Sequence, residues 1–139
     1  MMTPLRTDDR VADVMTIDPV VIGIEDTIED AEELLRARRV TGLPVVDAER
    51  RLVGVISQTD LLYLAAPTVQ ALIHHRHSGI RVGEVMSVPP VTIDAAATLR
   101  QAAYVMHRDR LHRLVVVDRR GRPTGVISSM DFVALAAEG

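Results

Sequence analysis

The stretch Gly54-Val55-Ile56-Ser57-Gln58-Thr59-Asp60 returns 71 residues later as Gly125-Val126-Ile127-Ser128-Ser129-Met130-Asp131. An apolar run ending in Ser-x-x-Asp reads as a strand turning into a helix. The hydroxyl and the acid three residues on can satisfy each other's free backbone N–H groups. Working outward, the same offset aligns residues 11–62 with 82–133 without a gap, with 19 identities in 52 positions. Val11-Ala12-Asp13-Val14-Met15 answers to Val82-Gly83-Glu84-Val85-Met86, and Val45-Val46-Asp47 to Val116-Val117-Asp118. A unit of roughly 50 residues buries too little surface to be comfortably stable alone, so the two copies are expected to close on each other.

Each copy carries the same local signals. An extended run comes first, Val20–Ile22 or Val91–Ile93. Thr27 with Asp30, and Thr98 with Gln101, look like capping boxes opening a helix whose apolar positions follow at helical spacing (Ile28, Ala31, Leu35; Leu99, Ala102, Met106). Two β-branched runs come next, Leu43–Val46 and Leu52–Ile56, matched by Leu114–Val117 and Thr124–Ile127, and then a second helix. The expected fold class is α/β (α+β): two βαββα repeats packed with pseudo-twofold symmetry. The expected organisation is an N-terminal segment 1–10, a first repeat 11–66, a linker 67–81 and a second repeat 82–137. Such pairing would create two related crevices, each with the strand–helix turn of one copy facing the early strands of the other.

Composition narrows the function. Hydrophobic residues make up 47% of the 139 and charged residues 25%, the balance of a globular chain. With no cysteine, disulfides, thiolate metal sites and a thiol nucleophile are excluded. No apolar run is long enough to cross a bilayer, and the N-terminus lacks an apolar signal core, so a cytoplasmic location is expected. Tyr63, Tyr104 and Phe132 are the only aromatics, too few to stack bases, and Arg119, Arg120 and Arg122 read as a solvated turn. Neither nucleic acid nor membrane is expected as a partner. No nucleophile–base or metalloprotease motif is present, so no enzyme and no catalytic residues are expected. His74-His75-Arg76-His77 reads as solvated linker, with divalent metal as the lesser alternative, and no metal site is assigned.

The doubled Gly-hydrophobic-hydrophobic-Ser-x-x-Asp turn, with Leu43-Pro44-Val45-Val46-Asp47 upstream, resembles a tandem cystathionine-β-synthase (CBS) domain pair, or Bateman module. The resemblance covers residues 11–133. From the residues alone, Ser-x-x-Asp serves equally as a cap that needs no ligand. A helix start also suits a phosphate, and an acid there can accept ribose hydroxyls. The resemblance implies the second role and two pockets. In one, Val55, Ser57 and Asp60 face Val91, Leu111, His112 and Arg113, with His112 and Arg113 meeting phosphate. In the other, Val126, Ser128 and Asp131 face Val20, Val40, Thr41, Leu43 and Pro44. Thr41-Gly42 stands where the second copy has His112-Arg113, so unequal pockets are expected. Residues 11–62 carry 11 acids and 5 bases, and residues 82–133 carry 5 acids and 7 bases, which favours a polyanion at the second copy.

The resemblance thus implies a stand-alone regulatory module that binds an adenosine-containing ligand (AMP, ADP, ATP or S-adenosylmethionine). No resident cofactor is expected, and a homodimer that signals in trans to a regulated partner protein is expected. The alternative is a protein-interaction or dimerisation module with empty pockets.

Overall fold

The computed structural model of the chain describes residues 8–68 and 79–138, so the His74–His77 run lies outside the described residues. In chain order the elements are α1 (Val11–Val14), β1 (Thr16–Ile17), β2 (Ile22–Gly23), α2 (Ile28–Arg38), β3 (Gly42–Val46), β4 (Leu52–Ser57), α3 (Gln58–Leu64), a 3₁₀ turn (Val82–Glu84), β5 (Thr92–Asp94), α4 (Leu99–Asp109), β6 (Arg113–Val117), β7 (Pro123–Ser128) and α5 (Ser129–Glu138). They form two compact units, Val20–Pro90, and Met1–Pro19 together with Val91–Gly139.

In the unit Val20–Pro90 the sheet order is β2-β3-β4, with β2 parallel and β4 antiparallel to β3. Thr27 caps α2 as its spacing predicts: its hydroxyl accepts the Asp30 N–H at 3.2 Å, and the Asp30 carboxylate accepts the Thr27 N–H at 3.1 Å. The helix ends on Arg39 in the left-handed region at φ 55. Its apolar stripe, Ala31 and Leu35, closes on Ile22, Leu43, Val45 and Ile56 from the sheet and on Val82 from the 3₁₀ turn. Each fully buried leucine or isoleucine of this kind contributes about 2–3 kcal/mol of transfer free energy.

The other unit repeats the plan. Its sheet order is β1-β7-β6-β5. Thr98 and Gln101 form the same capping box (3.1 and 2.8 Å), and α4 ends on Arg110 at φ 55. Ile93, Leu99, Ala102, Met106, Leu114, Val116 and Ile127 make the core, joined by Val11 of α1. No polar or charged residue is buried among the described residues of either unit.

Each core is therefore closed by a segment of the other repeat. Val11 and Ala12 donate their N–H groups to Ala97 and Ala95 at 2.8 and 2.9 Å, and the Arg10 guanidinium reaches the Ala96 carbonyl. At the matched positions Val82 and Gly83 donate to Asp26 and Ile24 at 2.7 and 3.0 Å, and Arg81 reaches the Glu25 carbonyl. β1 pairs antiparallel with β7 (Thr16 opposite Val126), and Ser87 pairs with Val55 in the same sense. By compact unit, Val20–Pro90 holds 10 acids and 7 bases, and the other unit 9 of each. The exchange thus softens the charge contrast seen when the repeats are taken as continuous stretches.

Candidate functional site

Two strand–helix turns carry the candidate chemistry. In the first, β4 delivers Ser57 to the start of α3, and Asp60 sits one turn in. Asp60 Oδ2 accepts the Ser57 N–H at 2.9 Å and the Ser57 hydroxyl at 3.1 Å, while Ser57 Oγ lies 3.2 Å from the Asp60 N–H. The other oxygen, Oδ1, accepts the hydroxyl of Ser87 at 3.0 Å. Both residues of the turn are half-buried, so the carboxylate is fixed in place but reachable.

At the second turn, Asp131 Oδ2 accepts the Ser128 N–H at 2.7 Å and the Ser128 hydroxyl at 3.2 Å. Thr16 occupies the position matched to Ser87, yet its hydroxyl makes no hydrogen bond to Asp131 among the described residues. One oxygen of Asp131 is thus free to accept. The two turns share a scaffold and differ in what their acids already hold.

The remaining predicted residues fall as follows. Val55 lies opposite Pro44, and Gly42 opposite Ser57; the Thr41 carbonyl accepts the Gln58 N–H at 3.0 Å. Thr41 is exposed, whereas Pro44 is buried. Leu43 is fully buried in the core, which leaves only its backbone for a ligand, because strand alternation turns its side chain inward. Val20 and Val40 pack on the same core. In the other unit Val126 lies opposite Val115 and Arg113 opposite Ser128, and the His112 carbonyl accepts the Ser129 N–H at 2.8 Å. Val91 and Leu111 pack against the core there. The resemblance groups His112 and Arg113 with Asp60; within its own unit, the strand register sets Arg113 opposite Ser128, with His112 next to it. It likewise sets Thr41 and Pro44 beside Ser57 and Val55.

Sequence reasoning missed Ser87 and Thr16. The signal was present: both are hydroxyl residues at one offset, directly after the recurring Met15 and Met86. Beside them, Ile17 and Val88 are 64% and 61% exposed, apolar side chains at the rim of each turn. The motif glycines have a packing role. A Cβ on Gly54 would lie 2.6 Å from the Met86 sulfur, and one on Gly125 the same distance from the Met15 sulfur. Each glycine is the socket for a methionine of the other repeat.

Fold and turns together define a tandem α+β repeat module. The family model of the CBS domain matches residues 11–66 and 82–138, and the chain belongs to the CBS domain family as a tandem pair. It is similar to CBSX2, whose crystal structure is a complex with AMP, at 35% identity and a TM-score of 0.82, over 94% of this chain and 97% of that one. It is 33% identical over 120 residues to inosine-5'-monophosphate dehydrogenase of Mycobacterium tuberculosis, covering 86% of this chain and 21% of the dehydrogenase, so it spans about a fifth of that relative's length. The chloroplastic CBS domain-containing protein CBSX1 of Arabidopsis thaliana is 30% identical over 85% of this chain and 59% of its own length. Among the described residues no helix is long and apolar enough to cross a membrane, and no cluster of three His, Cys, Asp or Glu could hold a metal ion.

Proposed function

We propose that this CBS pair is a non-catalytic regulatory module of the cytoplasm that binds an adenosine-containing ligand and signals in trans, as a homodimer, to a partner protein. AMP, ADP, ATP and S-adenosylmethionine are the candidates. The observation that carries this reading is the duplicated turn, in which Asp60 and Asp131 are each fixed through one oxygen by a serine N–H. The similarity to the CBSX2 complex with AMP supports it.

In this reading the two carboxylates accept ribose hydroxyls and the serines take ribose or phosphate oxygens. Val55 and Val126 offer apolar contact to the base. His112 and Arg113 meet phosphate, and Val91, Leu111, Val20, Val40, Thr41, Pro44 and the Leu43 backbone complete the pockets. Asp131, with one oxygen unengaged and Arg113 opposite Ser128, is the stronger site. Signalling then needs only that ligand bind one conformational state better than another.

A thermal-shift titration with AMP, ADP, ATP and S-adenosylmethionine tests the proposal, since a ligand that binds the native state raises its melting temperature by mass action. One of the four should stabilise the protein, and Asp131→Asn should remove most of that shift. The amide keeps an acceptor oxygen for the cap, so the fold survives. Absence of any shift at millimolar ligand refutes the sensing reading and favours the interaction module.

A further inference from the structure

The two acids are held alike through one oxygen and differ in the other. A carboxylate offers about four acceptor places, two on each oxygen. At Asp60, Oδ2 takes the Ser57 N–H and the Ser57 hydroxyl at 2.9 and 3.1 Å, and Oδ1 takes the Ser87 hydroxyl at 3.0 Å. One place is left, on Oδ1. At Asp131, Oδ2 takes the Ser128 N–H and hydroxyl at 2.7 and 3.2 Å, and no described residue donates to Oδ1. Both places on that oxygen are left. The Ser87 contact is built into the backbone of a single compact unit, Val20–Pro90. The Ser87 N–H donates to the Val55 carbonyl at 2.8 Å and the Ser87 carbonyl accepts the Val55 N–H at 3.1 Å, which pins it to β4, the strand that ends on Ser57. Met86, just before it, fills the space over Gly54. With the main chain fixed, the hydroxyl reaches Asp60 by the choice of one χ1 rotamer. Thr16, at the matched position, lies opposite Val126 and makes no such bond among the described residues; its branched Cβ narrows its χ1 choices.

We propose that Ser87 is a specificity-determining residue that limits the Asp60 turn to one ligand hydroxyl, whereas the Asp131 turn accepts both hydroxyls of a vicinal diol. With the adenosine-ligand reading above as its premise, the Asp131 turn tells ribose from deoxyribose and the Asp60 turn does so poorly. A ligand that pushes Ser87 aside exchanges one hydroxyl for another on the same oxygen, so its second hydroxyl gains little there. The same contact makes the Asp60 turn the weaker of the two for ribose, and the turns fill in order, Asp131 first.

AMP and 2′-deoxy-AMP, titrated calorimetrically into variants of the full chain, test this. Asp60→Asn leaves the Asp131 turn, and Asp131→Asn leaves the Asp60 turn. A hydrogen bond to a charged acceptor corresponds to about tenfold or more in affinity, so the Asp60→Asn chain should prefer AMP by at least that factor and the Asp131→Asn chain by less than about threefold. Adding Ser87→Ala to Asp131→Asn should tighten AMP about fivefold and raise its preference for AMP to about tenfold. A serine that only braced the turn would weaken binding when removed; here stability falls while affinity rises. In the chain with both acids intact, Ser87→Ala should bring the two classes of AMP site together, a readout that needs neither Asp→Asn variant. If Ser87→Ala loosens AMP, or leaves the preference over the deoxy compound below about threefold, the assignment of Ser87 is overturned and the ligand reading stands. If the chain with both acids binds no AMP, the assignment falls, and the thermal-shift titration decides the ligand reading by itself.

Discussion

The hydroxyl of Ser87 donates to Asp60 Oδ1 at 3.0 Å, so a side chain of the second repeat holds the acid of the first. The reciprocal bond, from Thr16 to Asp131, is not made among the described residues. A hydrogen bond to a charged, half-buried acceptor contributes about 1.5–3 kcal/mol, and exposure of the Ser87 end lowers this toward 1. Ser87→Ala should therefore cost about 1 kcal/mol in urea unfolding, and Thr16→Ala less than about 0.5. Equal costs for the two substitutions would show that the turns are not distinguished in this way.

The glycine sockets give a sharper test. Besides the methionine sulfur, a Cβ on Gly54 would meet the Ser87 carbonyl oxygen at 3.0 Å, and one on Gly125 the Thr16 carbonyl oxygen at 2.9 Å. A thioether can swing away, but a backbone oxygen moves only with its strand. Gly54→Ala and Gly125→Ala should each destabilise by about 1–3 kcal/mol, the usual cost of overpacking. Gly42→Ala is the control, because its nearest neighbour lies at 3.7 Å, and it should be neutral or slightly stabilising. Denaturant midpoints decide. If Gly54→Ala behaves like Gly42→Ala, the exchanged segment does not press on β4 as described.

The hairpins between β3 and β4 and between β6 and β7 need a left-handed residue at matched positions, Arg50 at φ 65 and Gly121 at φ 78. A side chain in this region costs about 1–2 kcal/mol, against which glycine loses about 0.4–1 kcal/mol through the freer unfolded chain. Arg50→Gly should thus stabilise by up to about 1 kcal/mol, and Gly121→Ala should destabilise by a similar amount. Thermal unfolding of the two variants reads both signs, and a destabilised Arg50→Gly would contradict the turn geometry.

Much of this architecture was legible in the sequence because the repeat reports equivalence. Leu43 and Leu114, Val45 and Val116, and Ile56 and Ile127 are matched pairs, and all six are buried. The Thr27 and Thr98 caps and the Ser57 turn formed where spacing placed them. What periodicity could not report is which copy a segment packs on. Val11 and Val82 are fully buried, yet each closes the core of the other repeat, and a sequence match is blind to that choice. For the same reason the Asp60–Ser87 contact was invisible: it joins residues of different copies through a two-residue bridge with no strand signature. The resemblance groups His112 and Arg113 with Asp60, while the pairing of Arg113 with Ser128 is set by hairpin register.

The same hairpins set the response to acid. Asp47 is held below the ordinary carboxylate range, first by the backbone N–H of Arg51 and then by that of Glu49, both at 2.9 Å, with the Arg51 side chain adding to the effect. Asp118 is lowered in the same way, first by the Arg122 N–H at 3.0 Å and then by that of Arg120 at 2.8 Å. In the unfolded chain an aspartate titrates near 4. A carboxylate depressed in the folded state contributes stability that is fully present above that value and is lost as pH falls through the folded one. Urea midpoints should therefore fall as the pH drops from about 5 to about 2.5. In the double variant Asp47→Asn, Asp118→Asn, the amide oxygens still accept the turn N–H groups but do not titrate. That variant should be less stable than the parent at neutral pH and should lose less on acidification. Asp30 and Asp109, also lowered, by the Thr27 backbone N–H and the Arg108 side chain respectively, keep the slope from vanishing. An acid slope unchanged by the double substitution would show that these turns do not carry the pH dependence.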